Sequence, residues 1–177
     1  AADFGGGTSD FTLYQMSERN FQKSDVLSMG GLSVAGDALD SALMRQRISP
    51  HFGTGVRYQV PFGSNVLTMP PHLMERICHP GEISLLQKQD TLEFFRNVKQ
   101  WSLGPEDREK MDRLFTLLQD QLGLPLFEKV EGSKRALSSA DQTRFDFTYP
   151  DIEIHESITR TDFESYADTP LQSITKC

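Results

Sequence analysis

The sequence predicts a mixed α/β fold, and three observations predict it. Residues of alternating character mark strands near the start. Apolar residues at helical spacing fill the middle. Alternation returns near residue 145, ahead of a last helical stretch.

The elements follow in order. Phe11, Leu13 and Gln15 alternate with Thr12, Tyr14 and Met16, the period of a strand. Ser17-Glu18-Arg19-Asn20 reads as a polar turn, and Phe21 to Met29 as the returning strand, ended by Gly30-Gly31. Gly36 to about Gln46 reads as a helix with Leu39, Leu43 and Met44 on one face, stopped by Pro50. Residues 51–71 carry Gly53, Gly55, Pro61, Gly63, Pro70 and Pro71 and read as loop. Phe94, Val98 and Trp101 then repeat at helical spacing. Pro105 with Glu106 and Asp107 opens another helix, because proline suits the first turn and acids suit the positive end of the dipole. Met111, Leu114, Phe115, Leu118 and Leu122 form its apolar stripe, and Gly123 is expected to end it. A further helix runs from about Pro125 to Ser138. Phe145 and Phe147, the turn Tyr149-Pro150-Asp151, and Ile152 and Ile154 read as a hairpin. Thr159 and Asp162 resemble a capping box for the last helix, which Pro170 is expected to interrupt.

Composition narrows the function classes. The chain has 177 residues, 37% of them hydrophobic, enough for one domain with a core or two small subdomains. A net charge of -7 gives no electrostatic reason to expect nucleic acid or an anionic membrane as a partner. No apolar run is long enough to span a bilayer and no basic-then-apolar leader opens the chain, so the cytoplasm is the expected location. Cys78 and Cys177 make no disulfide framework and lack metal spacing. The chain starts at Ala1-Ala2 without a methionine and stops just after a helical pattern, so a piece of a longer protein is expected.

Two constellations carry chemistry. In Asp3-Phe4-Gly5-Gly6-Gly7-Thr8-Ser9-Asp10, three glycines let backbone N–H groups crowd around an anion without Cβ clashes. Thr8 adds a hydroxyl. Asp3 and Asp10 flank the turn and suit hydrated Mg²⁺ or an oriented water, the parts that phosphoryl transfer uses. The turn is neither a Walker loop, since no lysine follows, nor a dinucleotide fingerprint. The second constellation is Glu131, Lys134, Arg135 and Ser138, whose spacing puts all four on one helix face, while Leu126, Val130 and Leu137 occupy another. By periodicity alone that face is solvated and salt-bridged. The four histidines, His51, His72, His79 and His155, have no ligand spacing and no partner pointing to a triad.

These residues resemble a known family. Asp3 to Asp10 is similar to the second phosphate motif of the seventy-kilodalton heat-shock chaperones, which belong to the actin-like ATPases and share a ribonuclease-H-like fold. Ala35-Gly36-Asp37-Ala38-Leu39-Asp40 resembles their Gly-Gly-Glu-Asp-Phe-Asp segment, with alanine at the first glycine. Glu131-Gly132-Ser133-Lys134-Arg135-Ala136-Leu137-Ser138-Ser139 resembles their adenosine-contacting helix. Ser157-Ile158-Thr159-Arg160-Thr161-Asp162-Phe163-Glu164 resembles their Ser-Ile-Thr-Arg motif. All four stand in family order. The matched stretches cover about 1–47 and 126–177. The middle is longer than in typical members, as in a divergent branch such as the YegD-like chaperones.

The resemblance implies roles. Gly5, Gly6, Gly7 and Thr8 would cradle the β- and γ-phosphates of ATP, and Gly36 would approach the phosphate side. Asp3 would sit in the Mg²⁺ hydration shell, and Asp10 would orient the attacking water. Glu131 and Lys134 would contact the ribose, Arg135 would stack on adenine, and Ser138 would bond its edge. It also implies one lobe of a two-lobed ATPase: a phosphate-hairpin base over 1–35 and 165–177, and an adenosine-side upper subdomain over 36–164. The first lobe, with its own phosphate loop and catalytic lysine, is outside this chain. Chaperone clients and co-chaperones are the implied partners. A cytoskeletal, filament-forming actin-like protein and a non-catalytic interaction protein with this fold are the alternative readings. Because preorganised donors supply most of such a rate, the chain alone is expected not to turn over ATP. A phosphate-release assay checks this, and turnover that disappears in Asp10→Ala would contradict it.

Overall fold

The structure is a computed structural model and describes residues 1–16, 18 and 20–176. The fold is mixed α/β, as the order of patterns predicts. Strands β1 (Ala2–Phe4), β2 (Ser9–Tyr14) and β3 (Val26–Leu32) form an antiparallel sheet in that order. Asp3 pairs with Asp10, and Asp10 with Gly31. β3 starts later than expected, after a short 3-10 turn at Lys23–Asp25, and runs through Gly30-Gly31 instead of stopping there. A Cβ on Gly31 would lie 2.7 Å from Asp10 Oδ1, so the glycine makes room for that carboxylate within the ladder. The polar turn expected at 17–20 includes Ser17 and Arg19, which lie outside the described residues, as does Cys177.

Helix α1 (Gly36–Leu43) continues into a wider turn over Met44–Ile48 and a tight turn over Ser49–Phe52 that contains Pro50. The segment read as loop holds a hairpin of β4 (Arg57–Gln59) and β5 (Val66–Thr68). Three-residue strands are too short to display a period of two, and only Tyr58 turns inward. Helices α2 (Pro71–Ile77), α3 (Gln89–Trp101), α4 (Pro105–Gln119) and α5 (Gly123–Leu137) follow. Gly123 opens α5 and does not close α4. The reversal falls to Gln121, at φ 54, and a Cβ on Gly123 would lie 3.0 Å from Ile83 Cγ2.

Strands β6 (Gln142–Tyr149) and β7 (Ile152–Thr159) form the expected hairpin, with Asp151 at φ 66 in its turn. In helix α6 (Arg160–Thr175), the Asp162 N–H donates to Thr159 Oγ1 at 3.1 Å, as the cap predicts. The helix passes through Pro170 without the expected break. The ring deletes one backbone bond, and the turns on either side carry the helix past it.

The core begins at Leu43. It collects the inner faces of α3, α4 and α5, the segments 44–58 and 69–86, and the buried face of the β6–β7 hairpin. Helix α6 packs on α1, β7 and α5. The β1–β3 sheet contributes nothing to that core and exposes Leu13, Leu27 and Met29. Phe145 is 1% exposed and joins the hairpin to the helices. Phe145→Ala is expected to cost about 3–5 kcal/mol in urea unfolding, and a loss below about 1 kcal/mol would contradict this packing.

Candidate functional site

The site begins with a missing cap. A helix start leaves N–H groups without partners, and Ala35, which precedes α1, has no side-chain oxygen to offer them. The glycine turn supplies the acceptors. The Gly36 N–H donates to the Gly5 carbonyl at 3.2 Å and the Asp37 N–H to the Gly6 carbonyl at 2.7 Å. The turn closes on itself through the Gly5 N–H and the Thr8 carbonyl, 2.9 Å apart. Buried Ser9 adds a bond from its hydroxyl to the Val34 carbonyl at 2.7 Å. The amides of Gly6 and Gly7 stay exposed and, among the described residues, donate to no protein acceptor.

Helix α5 brings the second group of predicted residues opposite this turn. Lys134 Nζ donates to Asp40 Oδ2 at 2.6 Å and to the Gly36 carbonyl at 3.3 Å, so it lies beside the glycine turn. Between turn and helix lies a cavity of about 460 Å³. Gly5, Gly6, Gly36, Glu131 and Lys134 line it, with Phe127 and Leu124 as an apolar wall. Gly7, Thr8, Asp3 and Asp10 lie outside that lining, on the exposed turn and strands. Thr8 Oγ1 donates to Asp10 Oδ2 at 3.2 Å. Asp3 and Asp10 are direct cross-strand partners, so two carboxylates repel on one sheet face, a situation that a cation relieves. Arg135 and Ser138 also lie beyond the lining. Arg135 reaches back to Glu131 at 2.7 Å, and the Ser138 hydroxyl donates to the Arg135 carbonyl at 2.6 Å.

Asp40 is the site residue that the sequence reading left without a role. It is 7% exposed, and burial pushes its carboxyl above the usual range while Lys134 pulls it down. Its Oδ1 is buried with no partner among the described residues. The available signal was spacing: Gly36 and Asp40 are four apart on α1 and share a face.

Three of the four histidines, His51, His79 and His155, have side-chain partners. Ser41 Oγ lies 3.1 Å from His79 Nδ1, and His79 Nε2 lies 3.2 Å from Glu75 Oε1. This order resembles a nucleophile relay, but Ser41 is 2% exposed within α1, and Arg45 holds the Glu75 carboxyl below its usual range. The chain is a strap from α1 to α2. His51 contacts Glu156 at 2.8 Å, and His155 contacts Asp146 at 2.5 Å, which raises its pKa. Burial pushes the Cys78 thiol up to about 11, away from nucleophilic chemistry. Among the described residues, no three His, Cys, Asp or Glu side chains are grouped to hold a metal ion.

A charge pair this sheltered has a pH signature. Asp40's folded pKa is raised, so its ionisation costs stability as pH climbs from the unfolded value of 3.8 through the folded one. Lys134 offsets part of that cost. Lys134→Met is therefore expected to lose about 1–3 kcal/mol at neutral pH and less as pH falls toward 3.8. Urea unfolding at both pH values checks this, and an equal loss at both would contradict it. Compared with protein-family models and with curated proteins, the chain matches none, so the geometry of the site carries the functional reading.

Proposed function

We propose that this chain is most of one lobe of an actin-like ATPase domain with a ribonuclease-H-like fold, of the kind found in a divergent branch of the seventy-kilodalton heat-shock chaperones, and that its cavity takes the nucleotide as Mg-ATP. The observation that carries the reading is the glycine turn, whose Gly5 and Gly6 line a cavity of about 460 Å³ together with Glu131 and Lys134, and whose Gly6 and Gly7 amides are uncommitted among the described residues.

The chemistry divides among the residues present. The Gly6 and Gly7 amides donate to phosphate oxygens, as amides in such concave turns do. An ammonium has three donors, and Lys134 uses two on Asp40 and Gly36. The third remains for a phosphate or ribose oxygen. Glu131 accepts from ribose hydroxyls. Arg135 stacks on the base once it lets go of Glu131, and Ser138 meets the base edge. Thr8 holds Asp10, which orients the attacking water. Asp3 and Asp10 fit Mg²⁺ held through its waters, and Mg²⁺ when bound neutralises phosphate charge. That neutralisation matters here. Asp37, Asp40, Glu128 and Glu131 line the cavity against a single lysine, so a bare polyphosphate would be repelled.

Hydrolysis to ADP and phosphate would need the first lobe as partner, with clients and co-chaperones beyond it. Nothing in the reading calls for a membrane, and no helix among the described residues is long and apolar enough to cross one.

The test is calorimetry of the chain with Mg-ADP. Saturable binding is expected, and Arg135→Ala, exposed and outside the core, is expected to weaken it about tenfold through lost stacking. No heat from the unaltered chain, or equal affinity in the variant, would overturn the proposal.

A further inference from the structure

A second cavity lies apart from the one described above. An open groove of about 900 Å³ runs between α3 and α4. Apart from Asp151 in the β6–β7 turn, its lining falls within residues 48–125, the stretch that none of the four family-like motifs touches. Four cations line it: Arg96 and Lys99 from α3, Arg108 and Arg113 from α4. Three acids line it as well, Glu109, Asp112 and Asp151.

The pairings inside the groove decide what it can take. Lys99 is paired with Asp112, and Arg113 with Glu109 at 3.8 Å. Arg96 and Arg108 have no side-chain hydrogen bond or ion pair among the described residues, and both are exposed. Asp151 on the same lining is also without a partner among the described residues, so the two uncommitted guanidinium groups leave the groove a surplus of one positive charge in a chain whose net charge is -7. A guanidinium presents a planar fork that matches a carboxylate with two parallel bonds. Phe115, half-buried, adds an apolar patch to the lining, suited to side-chain stems.

Shape selects the kind of ligand. A small-molecule site is closed and mostly apolar. This groove is open and follows α4 from Arg108 to Gln119. At the helical rise that is about 16 Å, the length of about five residues of extended chain. We propose that the α3–α4 groove binds an acidic peptide segment of a partner protein, with Arg96 and Arg108 each holding a carboxylate. This inference does not depend on nucleotide binding elsewhere in the chain.

The probe is a fluorescein-labelled peptide of five consecutive glutamates, titrated with the full chain and read by fluorescence anisotropy. A peptide of five glutamines is the control for label and backbone. The glutamate peptide is expected to bind saturably, more weakly as salt rises, and the glutamine peptide not to bind. The double variant Arg96→Gln/Arg108→Gln is expected to bind about tenfold or more weakly, while Lys23→Gln, in the 3-10 turn before β3 and outside the groove lining, keeps the affinity of the unaltered chain. Both arginines are exposed, and circular dichroism confirms that the double variant stays folded. No binding of the glutamate peptide, equal binding of both peptides, or unchanged affinity in the double variant would each overturn the proposal.

Discussion

The arrangement depends on a cap supplied in trans. Helix α1 starts after an alanine that cannot accept a hydrogen bond, and two carbonyls of the glycine turn take the first amides instead. One contact therefore does two jobs. It satisfies a helix start, and it fixes the β1–β2 turn against the helical body. The sheet has little else to hold it, because its faces are largely exposed and it shares no side chain with the core. The Ser9 bond to the Val34 carbonyl is its other polar tie to the lead-in of α1. The Gly5 and Gly6 carbonyls are spent on the helix, and the Gly6 and Gly7 amides are left without a protein acceptor among the described residues.

The second constraint is electrostatic. Asp40 is buried, and Lys134 crosses from α5 to meet it, so the ion pair spans α1 and α5 beside the turn. Such a pair contributes little net stability, because burying both charges offsets their attraction. What it does supply is position: the ammonium is held next to the glycine carbonyls instead of waving in solvent. The molecule thus separates its tasks. The apolar mass lies in the helices and the β6–β7 hairpin, and the polar site sits at their margin, where two elements are joined by hydrogen bonds and one ion pair.

Much of this was legible in the sequence, for physical reasons. Long amphipathic stretches such as 105–119 repeat a period several times and identify themselves. The β6–β7 hairpin shows strict alternation around a turn, and Thr159 names its own helix start. The misread elements share a different character. β4 and β5 are too short to show a period. Glycine was read as punctuation at Gly31 and Gly123, where it serves close approach to Asp10 and Ile83. Pro170 was read as a break, although a helix anchored on both sides absorbs one missing bond. Both halves of the candidate site were visible as motifs. The contacts between them, Gly5 to Gly36 and Lys134 to Asp40, join residues far apart in the chain and have no local signature.

The central claim is that the uncommitted amides of the glycine turn receive phosphate. Amide hydrogen exchange across residues 5–8, followed by NMR with and without saturating Mg-ADP, tests it most directly. The account predicts that exchange at Gly6 and Gly7 slows markedly when Mg-ADP is present and stays fast with Mg²⁺ alone. Unchanged exchange at both glycines, under conditions where calorimetry shows the nucleotide bound, would contradict it.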